Sequence, residues 1–205
     1  MARPLYLLLA FTVFPFAASA IEAPPGQTRI DANSVLRGSF VQELQMNATK
    51  GPLRSSGHFV VAPARGLIWS IEKPFPTSTI ITPNGAAQDF GGFAMNLPIK
   101  NLRSLYDMVG GALAGDWNGL EKDFIIKRSG NADHWKMLLT PRQPEKPKLP
   151  YAKIAISGSP FVENIVMTKT NGINDTLDFM DEVLSPAELT PTESAVFDKV
   201  RPSPN

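Results

Sequence analysis

Residues 55–82, SSGHFVVAPARGLIWSIEKPFPTSTIIT, constrain this chain more than any other stretch, because they read as three consecutive strands joined by two short turns. Gly57, Phe59 and Val61 alternate with His58 and Val60, and Leu67, Trp69 and Ile71 alternate with Ile68, Ser70 and Glu72. A period of two places each set on one face of a sheet. Pro63, Ala64, Arg65 and Gly66 supply the first turn, and Lys73-Pro74-Phe75-Pro76 closes the second strand. A meander this apolar needs a second apolar layer, which is either the protein's own core or something it carries.

Strand and turn signals of the same kind recur on both sides. LRGSFVQELQM, residues 36–46, reads as an earlier strand, after a helical turn over residues 31–34 and a proline-broken, mobile leader over residues 21–27. Pro83-Asn84-Gly85 is a turn, and residues 87–93 form a strand weakened by a glycine pair. Five further strands are expected at residues 122–128, 135–140, 153–157, 161–169 and 175–180, with glycine or asparagine in most of the intervening turns. This gives about nine or ten strands, the rhythm of an antiparallel up-and-down sheet. One helix interrupts them over residues 101–113, where Leu102, Leu105, Tyr106, Val109 and Leu113 recur at spacings of three and four behind an Asn101 N-cap. Thr190-Pro191-Thr192-Glu193 has the form of a capping box that starts a short terminal helix. The fold class expected is therefore mainly β with a few helices.

At the N-terminus, Arg3, an apolar run over residues 5–18 and Ala18-Ser19-Ala20 have the layout of a cleaved secretory signal. Residues 1–20 are thus read as signal peptide and residues 21–205 as one domain. Removing Arg3 brings Lys+Arg from 20 to 19, equal to Asp+Glu, so bulk charge recruits neither nucleic acid nor anionic membrane. With no cysteine, an exported chain of this size is held by burial rather than by disulfides.

Catalytic equipment is sparse. His58 and His134 sit in or beside strands and read as exposed or satisfied, no nucleophile elbow occurs, and the aspartates do not cluster at metal-ligand spacings. No cofactor and no enzymatic activity are expected. What remains is a set of large apolar side chains: Phe40, Phe59, Trp69, Phe90, Phe93, Trp117, Phe124, Trp135 and Phe161. They fill an ordinary core or line a concave sheet that holds an apolar ligand, and pattern alone does not separate the two.

Phe40-x-Gln42, Ser56-Gly57-His58-Phe59, the turn at Pro63, Trp69, Pro74 and Asn84-Gly85 follow one another in an order that resembles the periplasmic outer-membrane lipoprotein carrier family, LolA, and its LolA-like relatives. The resemblance runs from about residue 36 to residue 85 and is loose beyond. It implies an open antiparallel half-barrel covered by helices, with acyl chains held between sheet and lid. On that resemblance Phe40, Phe59, Val61, Leu67, Trp69 and Ile71 would face the cavity, and Leu105, Tyr106 and Val109 would close it. The carriers place an arginine just before the proline of the first turn, where it pins the lid. Here that place falls on Pro63, with Arg65 two residues on as the candidate substitute, and the long N-terminal helix of the carriers shrinks to residues 31–36.

Together these features lead to an expected soluble periplasmic carrier that shuttles a lipoprotein, glycolipid or other lipid between membranes. Its partners would be the acylated cargo, an inner-membrane exporter and an outer-membrane acceptor. The alternative expected is a non-enzymatic assembly or structural protein that holds a protein partner through its curved sheet.

Overall fold

The computed structural model describes residues 26–46, 51–96, 99–145, 149–186 and 188–200, with backbone alone at 99–103, 105 and 106. The signal expected over residues 1–20 lies outside the described residues, as does most of the leader.

Among the described residues eleven strands form one antiparallel sheet, more than the sequence rhythm suggests. In chain order they are β1 (Val35–Leu44), β2 (Leu53–Ala62), β3 (Gly66–Lys73), β4 (Thr77–Thr82), β5 (Gly85–Asp89), β6 (Ala94–Asn96), β7 (Phe124–Gly130), β8 (Trp135–Pro141), β9 (Tyr151–Gly158), β10 (Val162–Lys169) and β11 (Asn174–Ser185). Their spatial order is β6-β5-β4-β3-β2-β1-β11-β10-β9-β8-β7. The chain thus runs outward from β1 to one edge, crosses to the other edge, and returns inward to pair β11 with β1. The crossing is made by helix α1 (Ile99–Ala114) and a 3-10 turn at Leu120–Lys122. A connection between opposite edges has to pass over a face of the sheet, and this requirement lays α1 across the concave side. The result is a LolA-like open half-barrel with a helix over its mouth.

Alternation in the meander survives intact. Phe59, Val61, Leu67 and Trp69 enter the main core with Met108, Val109, Ala112 and Leu113 of α1, while Val60, Ala62 and Ile68 face the opposite, convex side. There they are covered by α2 (Pro191–Phe197), whose Phe197 is 2% exposed among Val35, Val60, Ile68 and Ile80. The capping box read from the sequence forms: Glu193 N donates to Thr190 Oγ1 at 3.2 Å, and Thr190 N donates to Glu193 Oε2 at 2.7 Å.

Four local expectations are corrected. Residues 31–34 make a single turn held by Asn33 N to Asp31 Oδ1 at 2.8 Å, and β1 begins directly at Val35, so no N-terminal helix forms here. Helix α1 starts at Ile99, so Asn101 lies in its first turn and is not its cap. The described end of the leader is anchored: Gln27 Nε2 donates to Ala112 O at 2.9 Å, Trp117 Nε1 donates to Gln27 Oε1 at 2.8 Å, and Thr28 N donates to Pro160 O at 2.9 Å. Finally, Phe90 and Phe93 belong to no core, being 49% and 71% exposed beside the short edge strand β6.

Candidate functional site

Gly57 explains how the aromatic floor of the concave side is built. In register, Phe40 of β1 faces Gly57 of β2, which in turn faces Ile71 of β3. Without a side chain at Gly57, rings from the strands on either side meet above it, and Phe40 stacks on Trp69 with centroids 3.8 Å apart. A Cβ at Gly57 would lie 1.8 Å from the Ser70 carbonyl oxygen, so the position admits nothing larger. Phe179 of β11 meets Phe59 and Trp69 edge-on at 5.6 and 6.1 Å. Such edge-to-face contacts add to the burial of the rings themselves. Phe40 and Phe59 are therefore packed floor, 1% and 0% exposed.

Two of the hollows among the described residues are bordered by both α1 and the meander. The larger, about 470 Å³, lies under Asp107, Gly110, Gly111 and Ala114 and is bordered by Val61, Pro63 and Leu67. Its wall also carries Arg29, Asp31 and Asp116, which makes it a poor place for a hydrocarbon chain. The smaller, about 300 Å³, is roofed by Val109 and walled by Trp69 and Ile71 from β3, Leu44 from β1, and Met167 and Leu177 from β10 and β11. Met46, 74% exposed, stands at its rim. This volume is at the lower end of ordinary ligand sites. Its apolar surface is the candidate binding site.

One stretch of the smaller cavity's wall is polar. Asp175, 2% exposed, accepts from Lys169 Nζ at 2.8 Å and Gln45 N at 2.9 Å on Oδ1, and from the Tyr151 hydroxyl at 3.2 Å on Oδ2. Lys169 also donates to Gln45 O at 2.7 Å. Burial, reinforced by the neighbouring Asp175 charge, pushes the Tyr151 phenol up to about 12, so it stays a donor. Gln42 completes this wall, with Oε1 accepting from Ser55 Oγ at 3.4 Å.

The residues singled out in the sequence are thus divided. Trp69, Ile71 and Val109 line the apolar cavity, Val61, Leu67 and Pro63 line the polar hollow, and Phe40 and Phe59 form the floor. The side chains of Leu105 and Tyr106 lie outside the described residues. Arg65 does not reach α1. Its guanidinium donates to Asp198 at 2.7 Å and lies 5.4 Å from the centre of the Phe197 ring, on the convex side. The expected replacement for a lid-pinning arginine is committed to the C-terminal helix. Tyr151, Met167, Lys169, Asp175 and Leu177 are additions from the second half of the chain. Their strands were legible, but their face became clear only with the β1–β11 pairing. Among the described residues, no group of three or more His, Cys, Asp or Glu side chains is placed to hold a metal.

No curated protein matches this chain. Solved structures similar to it include a LolA superfamily protein from Nitrosomonas europaea, at 9% identity and TM-score 0.41, covering 80% of this chain and 90% of that one. An outer membrane lipoprotein-sorting protein domain from Vibrio parahaemolyticus is similar at 8% identity and TM-score 0.42, covering 82% and 93%. The MucA/MucB complex of Pseudomonas aeruginosa gives 10% identity and TM-score 0.48, covering 84% of this chain but 59% of that one. Residues 17–160 match the model of the family described as outer membrane lipoprotein carrier protein LolA-like, which is most of the chain, and the chain belongs to that family.

Proposed function

We propose that this protein is a periplasmic carrier, without catalytic activity, that holds one acyl chain in the apolar cavity beside Trp69 and passes it between membranes. Residues 1–20 would be its cleaved signal and residues 21–205 a single carrier domain. The observation that carries this reading is the half-open cavity of about 300 Å³ bordered by Trp69, Ile71, Val109, Met167 and Leu177, with the exposed Met46 at its rim. Each methylene buried gains about 0.8 kcal/mol, so a chain of roughly ten methylenes gains about 8 kcal/mol before the losses of association. Because that attraction has no direction, the same chain can leave for an acceptor that buries it better. A lipoprotein or glycolipid cargo, an inner-membrane donor and an outer-membrane acceptor complete the proposal.

A second reading rests on the edge strand β6, whose three residues are all exposed beside Phe93. An unpaired edge flanked by apolar side chains can take a strand from a protein partner. One experiment separates the two. The mature protein is purified without detergent, incubated with membranes, and its organic extract examined by mass spectrometry. A stoichiometric acyl lipid supports the carrier and identifies the cargo; an empty extract overturns it in favour of strand addition.

A further inference from the structure

The polar wall of the apolar cavity has an asymmetry of hydrogen-bonding capacity. Asp175 is buried, 2% exposed, and already accepts three hydrogen bonds: Gln45 N and Lys169 Nζ donate to Oδ1, and the Tyr151 hydroxyl donates to Oδ2. Its charge is balanced by Lys169, which is itself incompletely used. An ammonium has three N–H groups, and two of them go to Gln45 O and Asp175 Oδ1. The third has no partner among the described residues. Gln42 is in a similar position: its oxygen accepts one hydrogen bond, from Ser55, and its amide N–H groups have no partner among the described residues. Both side chains line the cavity. Unused donors on two side chains, one of them cationic, are thus set beside an otherwise apolar cavity.

We propose that Lys169 and Gln42 form a head-group subsite that selects an acyl chain ending in an anionic oxygen group, a carboxylate or a phosphate. This rests on the carrier reading and specifies the ligand of the same cavity. A cationic head would bring donors to donors and place its charge beside Lys169. An anionic head accepts from both residues, and charge-assisted hydrogen bonds are about twice as strong as neutral ones. Asp175 and Tyr151 act through Lys169 as positioning residues: they hold the ammonium at the cavity wall, while Asp175 is itself only 2% exposed to a ligand.

The test is calorimetric titration of the mature protein with laurate, lauroyl lysophosphatidate and dodecyltrimethylammonium, each below its micellar range. The expected result is at least roughly tenfold tighter binding of one or both anionic probes than of the cation. Whichever anionic probe binds better shows whether carboxylate or phosphate is the natural head. In the paired variant Lys169→Met with Asp175→Asn, which leaves no buried charge unpaired, the preference should collapse to within about twofold, chiefly through weaker binding of the anionic probes. Gln42→Glu, at a half-exposed position, should weaken laurate binding on its own and serves if the paired variant does not fold. Equal binding of all three probes by the wild-type protein, or unchanged laurate binding by Gln42→Glu, overturns the subsite while leaving the carrier standing. Failure of every probe to bind overturns both.

Discussion

The attachment of α2 to the convex face gives the most quantitative prediction. Arg37 Nε donates to Glu193 Oε1 and its terminal N–H to Oε2, both at 2.7 Å, a two-pronged pair between β1 and the first turn of α2. The hydrogen bond from Arg37, followed by the capping contacts with Thr190, holds the Glu193 carboxyl down at about 2, below its ordinary 4.5. A depressed carboxylate stabilises the folded state above its unfolded value, so the contribution is complete above pH 4.5 and disappears as pH falls through about 2. At about 1.4 kcal/mol per pH unit the full shift corresponds to roughly 3 kcal/mol. The Arg37 side chain is 29% exposed, so solvent screening reduces this to about 2 kcal/mol. The substitution that isolates the charge is Glu193→Gln, because glutamine serves a capping box as well as glutamate does.

Hydrogen exchange at Ser194 N and Asp198 N, which bond to Thr190 O and Ser194 O, reads the docking of α2 directly. At pH 7 the variant should lose roughly 30-fold in protection of these amides, the equivalent of about 2 kcal/mol. The difference between wild type and variant should shrink steadily below pH 4.5. A difference that persists unchanged to pH 2 refutes the ionic origin, and equal protection at pH 7 refutes any contribution from the pair.

Other consequences are as direct. Gly57→Ala should destabilise by more than about 3 kcal/mol or prevent soluble expression, because its Cβ meets the Ser70 carbonyl oxygen; wild-type urea stability would refute the account of the aromatic floor. Ile71→Trp puts an indole on the cavity wall from a half-buried position, and should weaken binding of an acyl probe roughly tenfold while changing stability by less than about 1.5 kcal/mol. In spectrophotometric titration a tyrosine component near 12 should vanish in Tyr151→Phe. Since that phenol is raised in the folded state, its stabilisation is present below its ordinary value of 10 and is lost as pH rises through about 12.

Local pattern carried much of the fold. Phe59, Val61, Leu67 and Trp69 declared their common face by alternation, and Val109 and Leu113 of α1 declared theirs by a spacing of four. Strand β6 escaped because three exposed residues show no alternation to read. The direction of Arg65 escaped for a different reason: it depends on Asp198 and Phe197, far along the chain, and a turn residue has no periodic face. The candidate site was half legible. The shared face of Trp69 and Ile71 came from local pattern and the cavity role of Trp69, Ile71 and Val109 from the family resemblance, whereas Tyr151, Lys169 and Asp175 reach the same cavity only through sheet closure, whose register no local signal encodes.

That closure also shapes the route by which the chain folds. Every neighbouring pair of strands is consecutive in the sequence except β1 and β11, so the sheet consists of two hairpin ladders joined along one seam. Each ladder can zip from its turns with short loops, whereas the seam must first close the loop from Glu43 to Thr176, and loop-closure entropy makes such long-range pairing the slow event. Pulse-labelled refolding should accordingly find the amides between Phe40 and Phe179 protected last. The cavity, walled by both ladders, exists only after that final step, so a nascent chain offers no apolar hollow there until it is otherwise complete.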